Sequence, residues 1–260
     1  MICKLGTLAS IKGGKRLPKG INLISTPNSH PYIRVRDLSN QRTLELNFNY
    51  EFVDDETQKT IERYIVNKDD IILSIVGTIG LVAIVGESLS NANLTENCVK
   101  IVVSDKIDNK FLYYYLKSPR GQAEISKGTV GAVQTKLPIK NIQDINVWVP
   151  PKDIQKKIAS VLSYIDDKIE LNNKINENLQ QQAFALFNKI LVENVSDKCV
   201  LNKYANLNPK RILAKNHIAR SIDMSQLSTS GAFPSGWEMK PYNGGMRFSN
   251  GDTLLARITP

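Results

Sequence analysis

Short apolar runs rich in β-branched residues, cut by Gly, Pro, Asn and Asp, fill the first 150 positions and predict strands at 32–35, 71–76, 81–85, 99–103 and 145–149. One stretch departs from that rhythm: residues 111–116, preceded by Asp108 and closed by Ser118-Pro119, read as a capped helix. Its three consecutive tyrosines, 113 to 115, must point in different directions, so at least one enters the core. After Pro150-Pro151 the pattern changes. Residues 152–191 contain no Gly or Pro, which predicts a single helix of ~60 Å at 1.5 Å per residue.

Taken as a heptad, that helix carries a core series Ile158, Leu162, Ile165, Ile169, Asn172, Asn176, Leu179, Ala183, Leu186 and Ile190, of which only the two asparagines are polar. A helix cannot bury such a seam on itself, so a partner helix is expected, with the asparagines penalising slipped registers. Packing of the helix on its own domain is the competing reading, and Ile175 on a neighbouring stripe is compatible with it.

Beyond residue 196 the strand-and-turn texture returns and partly repeats the first domain. Leu5–Lys12 aligns with Leu201–Asn208, Asp37–Ser39 with Asp223–Ser225, and Lys68–Ser74 with Asn250–Ala256, in the same order. A divergent internal duplication is the simplest account.

Composition narrows the chemistry. The chain has 260 residues, 34 Lys+Arg against 25 Asp+Glu, and a formal charge of +9. The excess is localised: residues 1–42 hold eight basic side chains against one acid, residues 151–200 are balanced at seven each, and residues 201–260 hold eight bases against three acids. Two basic blocks flanking a neutral helix suit a polyanion, although a solvated basic surface accounts for charge alone equally well. Three cysteines, Cys3, Cys98 and Cys199, are too few for a disulfide framework. With no signal peptide and no apolar run long enough to span a membrane, a cytoplasmic protein is expected.

Catalytic constellations are scarce. His30 and His217 lack neighbours at ligand spacing, Val76–Gly80 lacks the lysine of a phosphate-cradling loop, and Asp54-Asp55-Glu56 reads as a solvated acidic face. The better candidates are cationic. In the segment 126–136, Lys127, Thr129 and Lys136 suit phosphate contacts, its glycines permit close approach, and Gln134 has the bidentate geometry for adenine. Strand alternation would place Tyr32, Arg34 and Arg36 on one face, suited to guanine or phosphate, or alternatively paired with the acids of 51–56. Lys12, Lys15 and Arg16 complete the candidate DNA-binding set.

These segments resemble the specificity subunit of type I restriction-modification systems. The similarity is carried by residues 32–38, 77–85, 111–119 and above all 145–159, where a strand passes through Pro150-Pro151 into the long helix with Gln155, Lys156, Lys157, Ile158 and Ala159. The resemblance implies an α+β chain: a strand-rich mixed target-recognition domain over 1–150, a long coiled-coil-type spacer helix over 151–192, and the start of a second, repeated recognition domain over 193–260. It implies a non-catalytic subunit that reads half of a bipartite double-stranded DNA site. Methyltransferase subunits would dock on it and, through them, an endonuclease/translocase subunit. S-adenosylmethionine, ATP and Mg would belong to those partners and no cofactor to this chain. It also implies a completed second domain and second helical region beyond Pro260, so the chain reads as C-terminally incomplete, with self-association through the long helix as one outcome. A truncated assembly or inhibitory protein that occupies methyltransferase subunits without productive recognition is the alternative.

Overall fold

The computed structural model describes residues 1–38, 42–131, 135–194, 200–228 and 231–256. The chain divides into two units, Met1–Phe184 and Ala185–Pro260. In the first unit the elements run β1 (Ile2–Lys4), β2 (Ala9–Gly13), β3 (Pro31–Ile33), β4 (Thr43–Leu44), β5 (Glu51–Phe52), α1 (Asp55–Ile61), β6 (Ile71–Ser74), β7 (Val82–Val85), β8 (Asn93–Leu94), β9 (Cys98–Val103), α2 (Asn109–Lys117), α3 (Pro119–Gly128), α4 (Ile139–Gln143) and β10 (Asn146–Trp148). Helix α5 (Lys152–Asn194) then begins in the first unit and ends in the second.

A five-stranded sheet of order β2-β9-β6-β7-β4 forms the centre, flanked by a three-stranded sheet β5-β3-β8 and a β1-β10 pair. Successive side chains of a strand face opposite ways, so the unbroken apolar run Ile71-Ile72-Leu73 means burial on both faces. Ile71 and Leu73 join Ile101, Leu112 and Leu116 in the core shared with the helices, while Ile72 joins Ile33, Phe52 and Leu94 in the core between the sheets.

Helix α2 starts where the Asp108 carboxylate accepts the Phe111 N–H. Its three tyrosines do three jobs. Tyr113 is fully buried, the Tyr115 hydroxyl donates to the Asn146 carbonyl at 2.7 Å, and the Tyr114 hydroxyl donates to Asp166 of α5 at 2.7 Å. The acidic run 54–56 is not a loop: Asp54 caps α1 by accepting the Thr57 N–H, and Asp55 and Glu56 occupy its first turn, where the helix dipole favours anions.

The root of α5 is clamped to the first unit on one narrow face. Gln155, 1% exposed, donates from Nε2 to the Pro150 carbonyl and accepts the Asp108 N–H at Oε1, joining the starts of α2 and α5. Ala159 and Ser163 are buried one and two turns on, and Arg42 donates to the Ser163 carbonyl at 3.1 Å and to Asp167 at 2.6 Å. Burial works against charge on the Arg42 guanidinium, but the Tyr114 hydroxyl and the Asp167 carboxylate together hold its pKa above the ordinary value.

The second unit contains an antiparallel hairpin of β11 (Ile218–Ser221) and β12 (Glu238–Pro241). None of its described residues is buried. Two of the three repeats read in the sequence recur as backbone motifs. Leu5–Thr7 and Leu201–Lys203 are both 3-10 turns, closed by Leu8 N–H to Leu5 and Tyr204 N–H to Leu201. The Asn67 N–H donates to Asp70 as the Ser249 N–H does to Asp252, each at 2.8 Å, with Asp69 (φ 69°) and Gly251 (φ 90°) both left-handed. The third match shifts by one turn: Asp37 is the last residue of the 3-10 turn Val35–Asp37, whereas Asp223 precedes the turn Met224–Gln226.

Replacing Gln155 with alanine leaves the Asp108 N–H and Pro150 carbonyl without their partner in a buried junction. Equilibrium urea unfolding is expected to show a loss of ~1–3 kcal/mol, the cost of stranding buried polar groups; a change below 0.5 kcal/mol would show that the junction is wet.

Candidate nucleic-acid interface

Antiparallel pairing dictates which loops meet. Gly13 lies opposite Val99, Ser74 opposite Cys98, and Leu73 opposite Val82, so β2 and β6 end where β7 and β9 begin. The segments beyond this end of the sheet are laced together. Gly14 N–H donates to the Cys98 carbonyl, Lys15 N–H to Leu94, Ile75 N–H to Asn97 and Leu137 N–H to Ile75. The three-stranded sheet joins them there, since Thr95 N–H donates to the Ile33 carbonyl.

Gly14 is required for this approach: a Cβ at that position would lie 2.0 Å from the Thr95 carbonyl oxygen. The β6–β7 turn is held by Ser74, whose hydroxyl donates to the Thr78 carbonyl at 2.6 Å and accepts the Leu81 N–H at 2.9 Å. Gly77 and Gly80 take φ of 77° and 92° within it. Lys136 bridges both Val76 and Val130, setting the loop that follows α3 beside this turn.

Most of the sequence-designated cations lie on these segments. Lys12, opposite Lys100 on the β2–β9 pair, and Lys136 are exposed and have no ion-pair partner among the described residues. Lys15 stands 5.6 Å over the Tyr64 ring, and Arg16, with its side chain 79% exposed, pairs with Glu96 at 2.7 Å. Burial disfavours charge on Glu96, but the Arg16 guanidinium and nearby N–H and O–H donors win and hold it below the ordinary carboxylate range. Thr129 donates its hydroxyl to the Ile125 carbonyl at 3.0 Å, and Gln134 lies outside the described residues.

Two expectations are corrected. The strand-face arrangement of Tyr32, Arg34 and Arg36 does not form, because β3 ends at Ile33 when the Asp37 carboxylate captures the Arg34 N–H and turns the chain. Tyr32 is buried with its hydroxyl donating to the Lys15 carbonyl, while Arg34 and Arg36 both pair with Glu51, as the competing reading allowed. The 126–136 segment is not wholly a loop either: Ser126, Lys127 and Gly128 are the last residues of α3, and Lys127 pairs with Glu124 at 2.7 Å. That lysine and the Asn146 amide draw the Glu124 pKa down to about 2.

The helix seam is placed differently from the cations. Ile158 is half-buried against the core, whereas Leu162, Ile165, Ile169, Asn172, Asn176, Leu179, Leu186 and Ile190 are exposed. The face that α5 uses on its own unit runs through Gln155, Ala159 and Ser163, beside the seam rather than along it. Arg42 was not foreseen as a contact for α5; its only sequence signal is a lone cation before an apolar run, and its partners lie 121 and 125 residues away.

A family model described as the type I restriction modification DNA specificity domain matches residues 1–181. This chain belongs to that family. Two curated type I specificity subunits of Methanocaldococcus jannaschii are similar to it: the MjaIX subunit at 28% identity, covering 63% of this chain and 37% of the relative, and the putative MjaX subunit at 30%, covering 52% and 31%. The type I specificity domain described here thus spans well under half the length of those relatives. A chain from a solved structure on complex assembly and conformational transition of the type I R-M system superposes with a TM-score of 0.51 at 14% identity, over 74% of this chain and 45% of that one, and shares the fold. Among the described residues no helix is long and apolar enough to cross a membrane.

The Asp37 carboxyl, which caps the turn presenting Arg34 and Arg36, is pushed up to about 6 by burial, with Arg36 opposing the shift. A raised folded-state pKa means that the folded chain binds the extra proton, so this group's contribution falls as pH rises from about 4 to about 6. Stability measured by urea midpoint across that window should decline less steeply in Asp37→Asn than in the parent. Parallel slopes would remove Asp37 as the titrating group.

Proposed function

We propose that the chain is a DNA-reading subunit of a type I restriction-modification assembly, and that the loop end of its five-stranded sheet is the surface that meets the duplex. One observation carries this reading: sheet register and the Val76–Lys136 and Val130–Lys136 bridges bring the Lys12–Arg16 segment, the glycine turn 75–80, Val130 and Lys136 to a single edge, with Arg34 next to it. The names of the related specificity subunits support it.

The parts divide by chemistry. Lys12 and Lys136, unpaired, contact phosphates and release counterions; Arg16, Arg34 and Arg36 are oriented by Glu96 and Glu51 and keep further guanidinium donors for phosphate or guanine. Gln134 serves adenine. The first recognition domain, residues 1–150, reads half of a bipartite site, the 151–192 helix is the spacer on which methyltransferase subunits dock, and 193–260 opens a second recognition domain. The endonuclease/translocase joins through the methyltransferases. The chain performs no reaction, and S-adenosylmethionine, ATP and Mg act on those partners in the cytoplasm.

Binding to a duplex selected from a random library should weaken steeply with salt. Lys12→Ala and Lys136→Ala are each expected to lower affinity evenly across sequences and to reduce the slope of log K against log salt by about one, whereas Gln134→Ala relaxes preference at one base pair by ~1–3 kcal/mol. Unchanged slopes in both lysine variants would place the DNA elsewhere.

A further inference from the structure

The turn between β4 and β5 presents a bare aromatic ring. Phe48 is 95% exposed, and among the described residues of the first unit no other large apolar side chain is as open to solvent. Its immediate neighbours, Asn47 and Asn49, are polar and exposed as well.

The ring is held out on a turn fastened at both ends and at its tip. Leu44 and Tyr50, on either side of it, are buried in the core between the two sheets. The Leu44 carbonyl accepts the Gly86 N–H at 2.9 Å, the Leu46 N–H donates to the Ser88 hydroxyl at 2.8 Å, and the Glu45 carboxylate accepts the Ser88 N–H at 3.0 Å. At the tip the Asn47 side-chain oxygen accepts the Asn49 N–H at 2.9 Å, and the Asn47 carbonyl accepts the Tyr50 N–H at 3.3 Å. A ring on such a support has already given up much of the backbone freedom that binding would otherwise remove.

The groups beside the ring decide its partner. Arg36 approaches the Asn49 carbonyl at 3.5 Å and donates to Glu51 at 2.7 Å, and Glu51 also pairs with Arg34. Two guanidinium groups therefore stand at the base of the turn, while the acid within it, Glu45, is engaged by Ser88. An anchor for a protein partner sits inside an apolar interface core. A lone ring bordered by amides and guanidinium groups matches stacked base pairs instead, whose faces are apolar and whose rims carry hydrogen-bonding edges and phosphates.

We propose that Phe48 is a wedge whose ring enters the duplex between two adjacent base pairs, while Arg34 and Arg36 meet the adjoining phosphates. This rests on the reading that the neighbouring sheet end meets DNA. An inserted ring partly unstacks one step and kinks the duplex, at a cost that is least at flexible pyrimidine–purine steps such as TA and CA. Phe48 thereby adds to sequence preference without a hydrogen bond to any base.

The test uses the full chain and the duplex selected from the random library, with a dye at each duplex end. Phe48→Ala is expected to weaken binding roughly 10–100-fold, the loss of one base stacked on an aromatic ring. The slope of log K against log salt should stay the same, because an apolar ring releases no counterions. Energy transfer between the dyes should report a kink with the parent and with Phe48→Tyr, and lose it with Phe48→Ala. The urea midpoint of Phe48→Ala should match the parent's, since the ring faces solvent; a lowered midpoint would mean that it packs on its own chain and would overturn the proposal. Unchanged affinity and bend in Phe48→Ala would overturn the wedge and leave the DNA-reading role standing. A weaker complex with a shallower salt slope would also overturn it, marking displaced arginines rather than a lost ring. A parent that binds no selected duplex removes the DNA-reading role and the wedge with it.

Discussion

The arrangement depends on how few side chains seat the root of α5. Gln155 ties the helix start to Asp108 and Pro150, Ala159 and Ser163 allow close approach, and Arg42 and Tyr114 reach across to Asp167 and Asp166. All of these lie on a polar and small-residue stripe. Because that stripe rather than the Leu162–Ile169 seam contacts the sheet-and-helix unit, the apolar seam stays available, and a helix with one face spent locally keeps another for assembly.

The same economy appears at the loop end of the sheet. Backbone hydrogen bonds at Gly14, Lys15, Ile75, Lys136 and Leu137 tie the segments there together, and Lys12 and Lys136 have no ion-pair partner among the described residues. The arginines differ. Glu51 and Glu96 fix their guanidinium groups in place, which lowers the ordering cost on meeting an anion but obliges that anion to compete with a carboxylate. Lysines that contribute charge and arginines that contribute orientation are therefore separable within one surface.

Much of this was legible in the sequence. Five of the strands, the Asp108-capped helix and the long helix follow from local periodicity and capping, and the helix was found at Lys152–Asn194 against an expected 152–191, while the short strands β1, β2, β4, β5 and β8 were not foreseen. Helices α1, α3 and α4 were not foreseen: the first was masked by an acidic run that turned out to be an N-cap and first turn, and α3 by a Gly-rich composition. Gly121 is retained within α3 because a Cβ there would lie 2.1 Å from the Tyr115 carbonyl oxygen. The arginine face on 32–36 failed for a local reason as well, since one carboxylate capturing one N–H ended the strand two residues early.

The sequence by itself determined the strands around 32, 71–76, 81–85, 99–103 and 145–149, the Asp108-capped helix, the long helix and its apolar seam, because each is a relation between residues a few positions apart on one helix or strand. Only the tertiary structure decided that Lys12, Arg16, the glycine turn and Lys136 share one end of a sheet, that Glu51 holds both arginines, and which stripe of α5 is used by its own unit. Those depend on strand order and on contacts across tens to more than a hundred residues, where backbone hydrogen bonding and core packing, not local pattern, choose the neighbours.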